Sequence, residues 1–106
     1  MFRFFKKKKP RTLLDDFNDA AAKMYRPLLN NKKISDEKLL DIVRLVMNSF
    51  KEAAESKGEV ISGVSLTKIS MKFVIVFDMC DEKFFMEHLK YEVDLYLNSG
   101  LREDYL

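Results

Sequence analysis

Ser62–Met79 reads SGVSLTKISMKFVIVFDM, and whether it is helix or strand decides the fold. Only Lys68, Lys72 and Asp78 are ionised within it. As a helix, it places Leu66, Ile69, Phe73, Val76, Phe77 and Cys80 at i, i+3, i+7, i+10, i+11 and i+14, one face of a 3.6-residue period. Ser62 then serves as N-cap, with Ile61 and Leu66 on either side as a hydrophobic staple. As a strand, it alternates through Ile69, Met71, Phe73, Ile75 and Phe77, and the run from Phe73 to Phe77 is rich in β-formers. A strand needs a partner, however. The nearest candidate, residues 59–66, contains Gly63 and leaves no clear two-residue turn before Ile69. The helix is favoured, and with it an all-α domain of four helices. The alternative is α+β, with two helices, a β-hairpin and a C-terminal helix.

The helical reading leaves a second apolar stripe, Val64, Met71 and Ile75, opposite the first and broken by Lys68 and Asp78. A helix apolar on two sides sits at the centre of its domain or of an assembly. These three residues are the expected protein interface, with a homodimer the favoured use.

On the C-terminal side, Asp81 is a natural N-cap for a last helix over residues 82–98, with Phe85, Leu89, Val93, Tyr96 and Leu97 as its core face. Gly100 followed by Leu101 fits a Schellman end, and residues 102–106 read as a short mixed tail. On the N-terminal side, Ile34-Ser35-Asp36-Glu37 supplies staple, cap and first-turn acids for a long helix. Leu39, Val43, Val46, Met47, Phe50, Ala53 and Ala54 hold its main face, and Leu40, Ile42 and Leu45 widen it. Lys57 and Gly58 close this helix. A first helix starts at the Thr12 cap with Asp15 three residues on, and Pro27 ends it near Tyr25. Leu13, Leu14, Phe17, Ala20, Ala21, Met24 and Leu28 form its expected packing face.

A chain of 106 residues, 47% hydrophobic and with three glycines and two prolines, is one folded domain with its own core. The single Cys80 excludes an internal disulfide and points to an intracellular, cytoplasmic setting. No apolar run reaches the roughly 18 residues a membrane span needs, and no secretory signal is visible. The net charge of +2 is unevenly placed. Residues 1–33 carry ten Lys/Arg against three Asp, and residues 34–106 carry nine against fourteen Asp/Glu.

Chemistry-bearing patterns are sparse. Cys80 stands among Asp78, Asp81 and Glu82, which disfavour a thiolate, so it reads as a small buried hydrophobe. His88 and Glu92 lie one turn apart, but two groups make no metal site without further His or Cys ligands. Asp15, Asp16 and Asp19 suit a helix N-terminus rather than acid–base work. A phosphate loop, a nucleophile elbow and a CxxC pair are all lacking. A helix-turn-helix is disfavoured because the helix after Gly58 is the most apolar in the chain. Neither enzyme, cofactor, metal nor small-molecule substrate is expected.

The functional expectation therefore rests on residues 1–11, MFRFFKKKKPR, an arm ahead of a domain spanning residues 12–106. Phe2, Arg3, Phe4, Phe5, Lys6, Lys7, Lys8 and Lys9 are what an anionic membrane surface attracts, the lysines at headgroups and the rings at the interface. The same run suits non-specific nucleic-acid binding, with rings stacked on unpaired bases. The sequence points to a non-enzymatic cytoplasmic protein-interaction module, membrane-proximal at the inner face through this arm. A nucleic-acid-binding accessory protein is the alternative.

Overall fold

A computed structural model describes residues 12–106. Among them the chain is all-α: α1 (Leu13–Tyr25), α2 (Asp36–Ser56), α3 (Gly63–Met79) and α4 (Glu82–Ser99), with 3-10 turns at Arg26–Leu28 and Glu103–Tyr105. No described residue is in a strand, so the hairpin alternative is set aside.

Local chemistry sets each boundary. Thr12 and Asp15 form a reciprocal capping box, at 3.0 and 3.1 Å. Ser35, Ser62 and Asp81 each accept a main-chain N–H three residues on. Gly58 (φ 70°) lets the chain turn left-handed after α2, and Gly100 (φ 85°) ends α4.

The β-prone run of α3 stays helical because its two sides meet different neighbours. Phe73 and Phe77 enter a large core with Ile42, Val46 and Phe50 of α2 and Phe85 and Leu89 of α4. Val74 turns the other way, into a smaller cluster with Tyr25, Leu39 and Val43. A strand would bring Phe73 and Phe77 to one face but give Val74 no such partner, so tertiary packing overrides β-propensity. The result is a central α2–α3 pair, with α4 on one side and α1 on the other. Phe73 sits at the middle of the aromatic packing, 6.3 Å from Phe50 and 6.0 Å from Phe85, ring centre to ring centre.

The expected packing face of α1 is corrected. The helix buries Ala22 and Tyr25, while Leu13, Leu14, Phe17 and Met24 are exposed. Its apolar side is wider than the contact available to it, and the line that meets α2 and α3 is rotated toward Ala22 and Tyr25. Tyr25 anchors that line. Its hydroxyl lies 2.5 Å from Ser70 Oγ, and Ser70 in turn donates to the Thr67 carbonyl at 2.9 Å, so Tyr25 is the donor. Leu45 of α2 and Leu97 of α4, expected in the core, are also exposed.

Candidate functional site

The outward side of α3 carries exposed apolar side chains. Val64 is 66%, Ile75 43% and Met79 73% exposed. Of the three residues expected at an interface, Met71 is half-buried and packs against the Tyr25 cluster. Met79 joins the surface in its place, one turn beyond Ile75 on the same helical row. Ile75 and Met79 border a depression of about 370 Å³ whose other walls are Pro27, Leu28, Asn30, Asn31 and Asp78.

Asp78, one wall of this depression, is tied to the loop before α2. It is buried, and three successive main-chain N–H groups donate to its carboxylate: Asn30 at 2.9 Å, Asn31 at 2.9 Å and Lys32 at 2.8 Å. The Asn31 side-chain amide adds a fourth donor at 2.9 Å. Burial alone would raise the carboxyl pKa, but these donors favour the charged form more strongly and hold it down at about 2. Lys32 also donates through Nζ to the Cys80 carbonyl, and its ammonium lies 4.2 Å from the Phe77 ring centre. The loop between α1 and α2 is thereby stitched to the end of α3. Cys80 itself donates to the Val76 carbonyl at 3.0 Å, and burial pushes its thiol pKa up.

A second polar centre closes the far side of the domain. Glu92 of α4 is buried, yet accepts hydrogen bonds from Tyr105 Oη at 2.8 Å and Arg102 Nη1 at 3.1 Å. Lys72 Nζ stands 3.8 Å away and His88 Nε2 3.3 Å. Residues 102–106, expected as a short mixed tail, thus include a 3-10 turn that plugs Tyr105 into the core. Desolvation, and then the hydrogen bond to Glu92, push the Tyr105 hydroxyl pKa up. His88 stacks on Phe84 at 6.0 Å and approaches Phe73 at 5.4 Å. Its polar partner is this carboxylate, and no group of three or more potential metal ligands forms among the described residues. The chemistry here is structural: charges and a phenol pin the chain's last turn.

A third feature lies along α1. Leu13 is 85% and Phe17 69% exposed, with Leu14 beside them. Next to this apolar side runs a groove of about 490 Å³, lined by Asp15, Asn18, Asp19, Asp36, Glu37, Leu40, Asp41 and Arg44. Arg44 is paired with Asp41 at 3.0 Å, and Asp36 with Arg26. The predicted binding residues Phe2, Arg3, Phe4, Phe5 and Lys6–Lys9 lie outside the described residues.

Two sites were missed in the sequence, and both had a signal. An aspartate in the last turn of an apolar helix opposes the helix dipole, and Asp78 is such a residue. Glu92 falls on the line of Phe85, Leu89 and Tyr96, an acid on a core face. Among the described residues, no helix is long and apolar enough to cross a membrane. No family model matches the chain, and neither a curated protein nor a solved structure matches it.

Proposed function

We propose that the chain is a non-enzymatic, cytoplasmic protein-interaction module whose contact surface is the outward side of α3, used in the simplest case to bind a second copy of itself. The observation that supports this is the pair Ile75 and Met79, exposed beside the walled depression at Pro27 and Leu28, with Val64 exposed nearer the start of the helix. Exposed apolar side chains next to a polar rim are what protein contacts use. The Asp78 clamp fastens that rim, so little ordering is needed on binding. Residues 1–11 add attraction to anionic surfaces and would hold the module near the inner face of a membrane.

Nucleic-acid binding ranks second. With the six Lys/Arg of residues 1–11 set apart, thirteen Lys/Arg face seventeen Asp/Glu in residues 12–106, a body of net charge −4 that repels phosphates.

Sedimentation of the full-length protein over a concentration series tests the reading. The wild type is expected to self-associate, and Ile75→Asp is expected to give a smaller, fully helical species. A wild type that stays monomeric, with Ile75→Asp unchanged in mass, removes self-association. Ile75→Asp that unfolds would show the stripe to be internal instead.

A further inference from the structure

We propose that the outer side of α1 is a self-association face, on which a second copy of the chain lays its own α1 antiparallel to the first. The inference goes beyond the contact proposed for α3, lies on another helix and stands without it.

Three observations carry it. First, α1 turns its apolar side outward. Leu13 is 85%, Leu14 65%, Phe17 69% and Met24 46% exposed, and Ala20 and Ala21 complete the same side. Ala22 and Tyr25 hold the helix to the domain along a different line. Second, Leu13, Phe17, Ala20 and Met24 recur at steps of four, three and four residues, the spacing of a coiled-coil seam. Third, the order of sizes along that seam selects a second copy and a direction. Antiparallel pairing centred between Asn18 and Asp19 sets Phe17 against the partner's Ala20, Leu14 against the partner's Ala21 and Leu13 against the partner's Met24. The ring and the first leucine each meet a methyl group, so the two helices interlock without voids. Parallel pairing would instead set Phe17 against Phe17 and Ala20 against Ala20, a crowded layer beside an empty one. The flanks agree with the antiparallel choice. Asp16 and Lys23 lie on one side of the seam, and antiparallel pairing brings Asp16 beside the partner's Lys23.

The face is formed before it pairs. The capping box at Thr12 and the Tyr25–Ser70 hydrogen bond fix the two ends of α1, so pairing need not order the helix. A 13-residue helix is only about 20 Å long. The contact therefore belongs at the small, weak end of protein interfaces and is sought at millimolar protein.

The test is cross-linking between two full-length chains that both carry Cys80→Ser, so that each keeps one cysteine. Unlabelled Asp16→Cys is mixed with ¹⁵N-labelled Lys23→Cys at millimolar concentration, treated with a short bis-maleimide and mapped by mass spectrometry. Conjugates joining the two different chains should appear in several-fold excess over like-with-like products. They should disappear when both chains also carry Phe17→Glu and persist when both carry Ile75→Asp. An excess of like-with-like products would overturn the antiparallel arrangement, and no conjugates would overturn the pairing. Conjugates lost with Ile75→Asp but kept with Phe17→Glu would return self-association to α3 alone. A second readout uses the unaltered protein and does not depend on the cysteine variants folding. The methyl resonances of Leu13, Leu14 and Met24 should shift with protein concentration while those of the buried Leu39 and Leu89 stay in place. Resonances that do not move, or that move only when anionic lipid vesicles are added, would overturn the proposal.

Discussion

Asn31 grips the carboxylate of Asp78 with two groups at once. Its main-chain N–H lies 2.9 Å from Oδ1 and 3.1 Å from Oδ2, and its side-chain Nδ2 donates to Oδ2 at 2.9 Å. The two residues are 47 positions apart in sequence. The loop thus converts an acid that is unfavourable at a helix C-terminus into the fastening between the α1–α2 connection and α3.

This fastening gives the protein an acid-sensitive limb. The folded pKa of Asp78 is lowered from 3.8 to about 2, so its contribution is complete above 3.8 and disappears as pH falls toward 2. Thermal unfolding followed over that window should show a steeper loss in the wild type than in Asp78→Asn, which should be less stable at neutral pH. Parallel curves would mean that Asp78 is not clamped.

The alkaline side has a counterpart in Tyr96. Desolvation first, and then its hydrogen bond to Glu59 at 2.6 Å, push the hydroxyl pKa up from 10 to about 12. Because the folded value is raised, the contribution is present below pH 10 and is lost as pH rises toward 12. Glu59→Gln should move the ultraviolet titration of Tyr96 toward lower pH, and an unmoved titration would count against the contact.

Phe73 and Leu13 make a paired test of the core. Phe73 is fully buried, so Phe73→Ala should cost about 3–5 kcal/mol in denaturant unfolding. Leu13 is 85% exposed, and Leu13→Ala should stay within about 0.5 kcal/mol. Comparable costs at the two positions would contradict the line along which α1 packs.

Tyr105→Phe removes one hydrogen bond to the buried Glu92 carboxylate while keeping the ring in its socket. A bond to a charged group contributes about 1.5–3 kcal/mol, and equilibrium unfolding should show a loss in that range. A neutral result would mean the last turn is held by packing alone.

What the sequence made legible is local. Caps at Thr12, Ser35, Ser62 and Asp81, and helix ends at Gly58 and Gly100, are decided within four or five residues, and all of them form. The side of α1 that packs was not legible, because a helical stripe shows what is apolar but not how many neighbours there are to meet it. Asp78 and Glu92 were opaque for a related reason. Their partners, Asn30–Lys32 and the Arg102–Tyr105 turn, stand ten to forty-eight residues away, where no spacing rule reaches. On the outward stripe of α3, Val64 and Ile75 are exposed, while Met71 is half-buried against a second cluster around Tyr25 that no spacing in the sequence foreshadowed.

The slender attachment of α1, two fully buried residues against the many of α2, α3 and α4, bears on how the domain opens. Amide protons in α1 should exchange through a low-energy detachment that leaves the Phe50–Phe73–Phe85 centre closed, rather than through global unfolding. Protection factors in α1 below those of α2, α3 and α4 would then mark the helix carrying Leu13, Leu14 and Phe17 as the first to open.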